Sequence, residues 1–270
     1  MSRITKRFDT LKAQGRSGLV TFVTAGDPDM ATFQKILNGL PAAGADVIEV
    51  GVPFSDPMAD GPAIQLSSQR ALKHDIGLKD IFAAVAAFRK TDADTPIVLM
   101  GYYNPIYRYG GDAFARDAVA AGADGVIIVD LPPEEAGELL PALRKHGLHM
   151  IFLTAPTSSD ARLPAILNNA SGFVYYVAVA GVTGTKSADE TSVKQAMTRL
   201  RAHTKLPIAV GFGIKTPAQA KTISALCDAA VVGSAIVDVV ADSSLRNGAK
   251  PDVIAADVHR FVKDLAAGVR

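Results

Sequence analysis

Short apolar runs rich in β-branched residues recur along the chain, with amphipathic stretches between them. The runs fall at 19–24, 47–50, 97–100, 126–129, 150–153, 173–177, 208–210 and 230–232, which predicts eight strands. A run such as Val126-Ile127-Ile128-Val129 shows no polar alternation, as expected for a strand covered on both faces of a parallel sheet. The intervening stretches, among them 32–43, 78–90, 113–121, 134–145 and 217–226, carry helical periodicity. Several end in a common punctuation: Ala42-Ala43-Gly44-Ala45-Asp46, Ala120-Ala121-Gly122-Ala123-Asp124 and, more loosely, 145–148. In each, a glycine just past the helix is placed to adopt the left-handed cap conformation before the chain turns into the next strand. The repeating unit is therefore βα, which implies right-handed crossovers and a parallel sheet. A doubly wound open sheet uses the same elements, but eight regular units favour a closed (β/α)₈ barrel of the TIM type.

Two further elements frame the barrel. Residues 1–12 set Ile4, Phe8 and Leu11 among Arg3, Lys6, Arg7 and Lys12, which reads as an extra amphipathic N-terminal helix covering the barrel floor rather than a signal peptide. A short helix is expected after the eighth strand, and a last helical pattern spans 253–267. No Pro/Ser-rich linker interrupts the series, so 1–270 is read as one barrel domain, a length usual for this architecture.

Composition removes several functional classes. Lys plus Arg number 28 against 27 Asp plus Glu, a net charge of +1, and there is no tryptophan, so nucleic acid is an unsuitable partner. A single cysteine, Cys227, and five scattered histidines suit a reducing cytoplasm and offer no metal-ligand spacing. The most apolar stretches, 173–182 and 229–237, have about half the length required to span a bilayer.

In a barrel of this kind chemistry collects at the carboxyl ends of the strands. Glu49 lies inside the second, apolar strand, where an ionised carboxylate is costly unless paired or used. The loop after it contains Pro53, Pro57 and Pro62, which stiffen a segment returning Asp60 towards the barrel mouth. Two carboxyl groups at one strand end suit proton transfer, since their surroundings can separate their pKa values into an acid and a base. A buried glutamate satisfied by its neighbours is the competing reading, and Asp56 has a plainer role as a turn residue before Pro57. After the sixth strand, 178–187 is a run of small and polar residues with the character of a lid or of an ordinary mobile loop. Gly211-Phe212-Gly213-Ile214 and Gly233-Ser234-Ala235-Ile236 follow strands seven and eight, where glycine-freed amides at a helix start bind phosphate. Phe22, Met100, Ile127, Leu153 and Tyr175, with Ile64 just beyond the second loop, form a set of apolar ends fit to line a slot for a flat aromatic group.

At this point the residues resemble a known family. Glu49 to Gln65, EVGVPFSDPMADGPAIQ, is similar to the signature of tryptophan synthase alpha chains, and Ala180 to Gly184 (AGVTG), GFGI at 211–214 and GSAIV at 233–237 match its other loops in order. The resemblance implies a (β/α)₈ barrel lyase that cleaves indole-3-glycerol phosphate to indole and glyceraldehyde 3-phosphate. It implies Glu49 as the principal acid and base, Asp60 as the partner of the indole N–H, and Tyr175 as the active-site tyrosine. Thr183, Gly184, Phe212, Gly213, Gly233 and Ser234 would bind the phosphate end, and Phe22, Ile64, Met100 and Ile127 the indole. The resemblance further implies an α₂β₂ assembly in which pyridoxal phosphate (PLP) belongs to the β subunit and no cofactor to this chain. Two departures are visible: Ala178-Val179 stands where some members carry Ser-Arg, and Met100 where leucine is frequent. A sugar-phosphate isomerase or aldolase on the same barrel, a non-catalytic binding subunit, and a stand-alone lyase releasing free indole are the alternatives; none of the strand runs contains the lysine a Schiff-base aldolase needs.

Overall fold

The computed structural model describes residues 1–178, 190–211, 213–246, 248 and 250–270. Among these, nine strands form one parallel sheet: β1 (Gly18–Thr24), β2 (Val47–Gly51), β3 (Ile97–Gly101), β4 (Gly125–Ile128), β5 (His149–Met150), β6 (Leu153–Thr154), β7 (Val174–Val177), β8 (Ile208–Gly211) and β9 (Ala229–Val232). Their order is β5-β4-β3-β2-β1-β9-β8-β7-β6. The two end strands are consecutive in the chain and together occupy the fifth run of the sequence pattern. That run is not one continuous strand: His149–Met150 pairs with β4, and Leu153–Thr154 pairs with β7. Between them Ile151 N–H donates to the Val126 carbonyl at 2.9 Å and the Phe152 carbonyl accepts from Tyr175 N–H at 3.1 Å, so the chain changes partners and the ring closes there.

The helices are α1 (Arg3–Ala13), α2 (Met30–Ala43), α3 (Pro62–Leu72), α4 (Leu78–Arg89), α5 (Tyr103–Tyr109), α6 (Gly111–Ala121), α7 (Leu140–His146), α8 (Leu163–Asn169), α9 (Glu190–Arg201), α10 (Pro217–Ser224), α11 (Ser234–Arg246) and α12 (Pro251–Val269). The helix expected over 134–145 is shorter: a 3₁₀ turn at Ala136–Glu138 precedes α7. Pro141 explains the break, because it has no amide to extend a preceding helix but is accommodated in the first turn of a new one. The helix expected after the last strand is present and begins directly at Ser234. The predicted glycine caps also form, with φ of 110° at Gly44, 101° at Gly122 and 77° at Gly147.

The aspartates closing two of those punctuation motifs brace the sheet. Asp46 N–H donates to the Leu19 carbonyl at 2.8 Å while the Asp46 carboxylate accepts from Leu19 N–H at 3.0 Å. Asp124 does the same to Ile97, at 2.8 and 2.9 Å, and Asp228 to Ile208, at 3.0 and 2.6 Å. Each joins the foot of one strand to the foot of the next strand along the chain. Arginines neutralise the two buried carboxylates of this set: Arg16 forks onto Asp46, and Arg89 and Arg3 reach Asp124 at 2.8 and 3.0 Å. Arg3 belongs to α1, whose Ile4, Phe8 and Leu11 are buried against Val20, Val47, Val98, Phe173 and Ala229 inside the barrel. The amphipathic start of the chain thus plugs the floor, and the open mouth lies at the other end of the strands. Among the described residues no helix is long and apolar enough to cross a membrane.

Candidate active site

Inward-pointing residues near the strand ends build the mouth. Phe22 on β1 is in register with Glu49 on β2, and Tyr175 on β7 with Ala209 on β8. Glycines make room for the two rings: a Cβ on Gly51 would sit 2.4 Å from the Phe22 ring, and one on Gly211 would sit 2.6 Å from the Tyr175 hydroxyl. Above this layer opens a cavity of about 570 Å³, whose walls include Ala59, Asp60, Met100, Val129, Leu153, Thr154 and Tyr175. A recess of about 20 Å³ beside it is bounded by Phe22, Gly51, Asp60, Ile64, Met100 and Tyr102. The volume and the largely apolar walls suit a small aromatic ligand.

Glu49 is 1% exposed, and among the described residues its Oε1 has no hydrogen-bond partner. Burial alone pushes its carboxyl up to about 8, so it carries a proton at neutral pH. Among the described residues nothing donates to Oε1, which favours the reading of a carboxyl put to use over one quieted by its neighbours. Tyr175 lies close enough to feel it, and burial together with the Glu49 charge holds the Tyr175 phenol well above its ordinary value.

Asp60 faces the same cavity from the loop after β2. Its Oδ2 accepts from the Tyr102 hydroxyl at 2.9 Å, and that hydroxyl in turn accepts from Ala59 N–H at 3.0 Å. Burial raises the Asp60 pKa and the Tyr102 hydrogen bond opposes the rise. Phe54, from the same proline-stiffened loop, stacks on Tyr102 with centroids 5.1 Å apart. Tyr102 was not singled out in the sequence, where it is one of several tyrosines in the segment after the third strand. The only available signal was its place immediately beyond a strand end.

The structure brings Phe22, Asp60, Ile64, Met100 and Tyr175 to one mouth. Ile127, in register with Met100, is fully buried in the cluster on which Met100, Val129, Leu153 and Tyr175 pack and is not part of the wall of either cavity. Gly213, with φ of 68°, and Gly233 and Ser234 follow β8 and β9, with α11 starting at Ser234. Thr183, Gly184 and Phe212, and the expected lid from Val179 to Ser187, lie outside the described residues. Among the described residues no group of three or more His, Cys, Asp or Glu is arranged to hold a metal ion.

A closed parallel barrel whose mouth combines a buried carboxyl, a second carboxyl on a stiff loop and an apolar slot has the architecture of a small-molecule enzyme of the (β/α)₈ class. The family model described as "Tryptophan synthase alpha chain" matches residues 8–269. A tryptophan synthase alpha chain from Caulobacter sp. (strain K31) is 58% identical over 238 residues, 88% of this chain and 86% of the relative. Among solved structures, the alpha subunit from Legionella pneumophila str. Paris matches with a TM-score of 0.91 at 40% identity, covering 100% of this chain and 98% of that one. A structure of Mycobacterium tuberculosis tryptophan synthase matches at 0.90 and 38% identity, with coverage of 100% and 98%. The chain belongs to the tryptophan synthase alpha chain family. It is a carbon–carbon lyase of tryptophan biosynthesis that cleaves indole-3-glycerol phosphate, and its partner is the β chain of an α₂β₂ complex.

Proposed function

We propose that Glu49 is the acid and base of this cleavage and Asp60 the group that stabilises charge on the indole ring. The observation that carries the reading is the buried carboxyl of Glu49, whose Oε1 has no partner among the described residues and whose pKa burial raises to about 8. The Glu49 proton goes to indole C3, turning the ring into an electron sink, and Asp60 accepts the indole N–H as positive charge develops on nitrogen. The Glu49 carboxylate then takes the proton of the hydroxyl on the glycerol carbon attached to C3. The O–H electrons form the carbonyl of glyceraldehyde 3-phosphate, the C–C bond breaks, and its electrons restore the aromatic ring of indole. Glu49 ends protonated, as it began.

Phe22, Ile64 and Met100, with Tyr175, shape the indole slot, and Ile127 supports it from the buried cluster behind. Gly213, Gly233 and Ser234, joined by Thr183, Gly184 and Phe212, hold the phosphate, where glycine amides and the start of a 13-residue helix supply the donors. Phosphate binding far from the reacting bond helps orient it. Residues 1–270 act as one domain in the cytoplasm and need no cofactor of their own, PLP chemistry residing in the β subunit.

Indole release from indole-3-glycerol phosphate by the purified chain, alone and with a tryptophan synthase β subunit, tests this reading. Slow release that the β subunit accelerates is expected. Saturable binding without release under either condition would overturn it.

A further inference from the structure

Helix α3 and the first strand are joined by a ladder of three rungs. On α3 the residues Ile64, Ser67 and Arg70 recur every third position and share one face. Opposite them stand Phe22, Thr24 and Asp27, on β1 and just past its end. In the first rung Ile64 and Phe22 belong to one buried apolar cluster with Val237. In the second, the buried Thr24 and Ser67 hydroxyls are 2.6 Å apart. Ser67 gives its proton to the Ile64 carbonyl at 2.8 Å, so Thr24 is the donor between them. The third rung is a fork: Arg70 Nε and Nη2 donate to Asp27 Oδ1 and Oδ2 at 2.6 and 2.7 Å. Asp27 is 3% exposed, and the backbone before it is packed tightly, since a Cβ on Gly26 would lie 2.7 Å from Ile76.

The first rung borders the active-site recess and the third does not reach it: Arg70 and Asp27 line neither cavity. We propose that Arg70, through Asp27, is a positioning residue that sets the register of α3 and thereby the place of Asp60. Gly61 is the single residue between Asp60 and the first residue of α3, and Gln65, in the first turn, donates from Nε2 to the Asp60 carbonyl at 2.9 Å. A helix that slips by one residue moves about 1.5 Å along its axis, and a misplacement of about 1 Å can cost about a hundredfold in rate. A planar two-point fork fixes orientation as well as distance, which a single charge cannot do. A buried ion pair is a weak source of stability compared with apolar side chains of the same size. Fixing geometry is the better account of this one.

The inference rests on the role proposed for Asp60, and its test separates the two. Steady-state indole release in the α₂β₂ complex is measured for the parent, Asp60→Asn, Arg70→Lys and the double variant Asp27→Asn/Arg70→Gln, each checked for folding by circular dichroism. The double variant leaves no unpaired buried charge, so its folding is not penalised as a single deletion would be. Arg70→Lys keeps the charge and loses the fork. Both are expected to lower kcat about tenfold while KM moves less than about threefold, because the contact displaced is the one at Asp60 that strengthens as charge develops on the ring. A folded double variant with kcat within about twofold of the parent overturns the positioning role. If Asp60→Asn itself retains parental kcat, the role of Asp60 fails instead.

Discussion

The floor of the barrel and its active-site layer treat buried carboxyl groups in opposite ways, Asp27 beyond the end of β1 being paired with Arg70 like the carboxyls of the floor. At the floor, Asp46 and Asp124 are each held by a backbone amide and by arginine, while α1 seals them from solvent. At the mouth, among the described residues, Glu49 has no partner for Oε1 and the Asp60 carboxylate has the Tyr102 hydroxyl. The residue types are the same and both environments are largely dry, yet one end yields braces and the other yields groups whose pKa values rise. What separates structure from chemistry here is compensation rather than burial.

That contrast is open to direct test. The largest effect is expected for Glu49→Gln: turnover falls on the order of a thousandfold, since no proton donor replaces the carboxyl, while binding of a substrate analogue measured by calorimetry stays close to parental. A variant retaining most of its turnover would remove Glu49 from the mechanism. At the other end, Asp124→Ala leaves Arg89 and Arg3 without their anion and Ile97 N–H without its acceptor. A loss of about 3 kcal/mol in urea unfolding is expected, with kcat unchanged where the protein is folded. A drop in kcat without loss of stability would mean that the ends are not separable.

Smaller effects sharpen the comparison. Because the folded chain keeps a proton on Glu49 up to about pH 8 while the unfolded chain releases it near 4.5, Glu49 destabilises the fold progressively as pH rises between those values. Glu49→Gln is therefore expected to gain stability over the parent across that window, by at most about 1.4 kcal/mol per pH unit, and to gain no more above it. Denaturation at a series of pH values reads this, and a difference that is flat with pH contradicts it. Tyr102→Phe removes the donor to Asp60. Its kcat/KM is expected to fall about five- to tenfold, with the acid limb of the pH profile moved upwards because Asp60 loses a contact that favours its charged form. An unchanged profile would show that Tyr102 only fills space.

Much of this was legible in the sequence because it depends on local rules. Eight apolar runs, glycine caps and an amphipathic start define a plugged barrel, and a carboxylate inside an apolar strand marks itself. Other features depend on distant partners and left no local trace. Tyr102 matters because it meets a residue 42 positions earlier, and Arg70 because it meets one 43 positions earlier. Asp46 and Asp124 were readable as ends of a turn motif, whereas their grip on Leu19 and Ile97 emerges only when the strands are paired. Pro141 was visible, but the helical periodicity across 134–145 hid its effect. The break in the fifth strand was unreadable because an apolar run gives no sign of which neighbour its backbone serves.

That break gives the barrel the mechanics of a jointed hoop. Neighbouring strands β1 and β2 share five registered residue pairs and β2 and β3 share four, while β4–β5 and β6–β7 share two each. Phe152, Leu153 and Thr154, at the joint, are also wall residues of the large cavity. Fewer ties leave the fifth-strand wall the readier place for local opening, so amide exchange is expected to be faster at Ile151 and Tyr175 than along β1 and β2, the arc that carries Phe22 and Glu49. Of the groups at the mouth, Phe22 and Glu49 sit on the tightly tied arc and Tyr175 beside the joint.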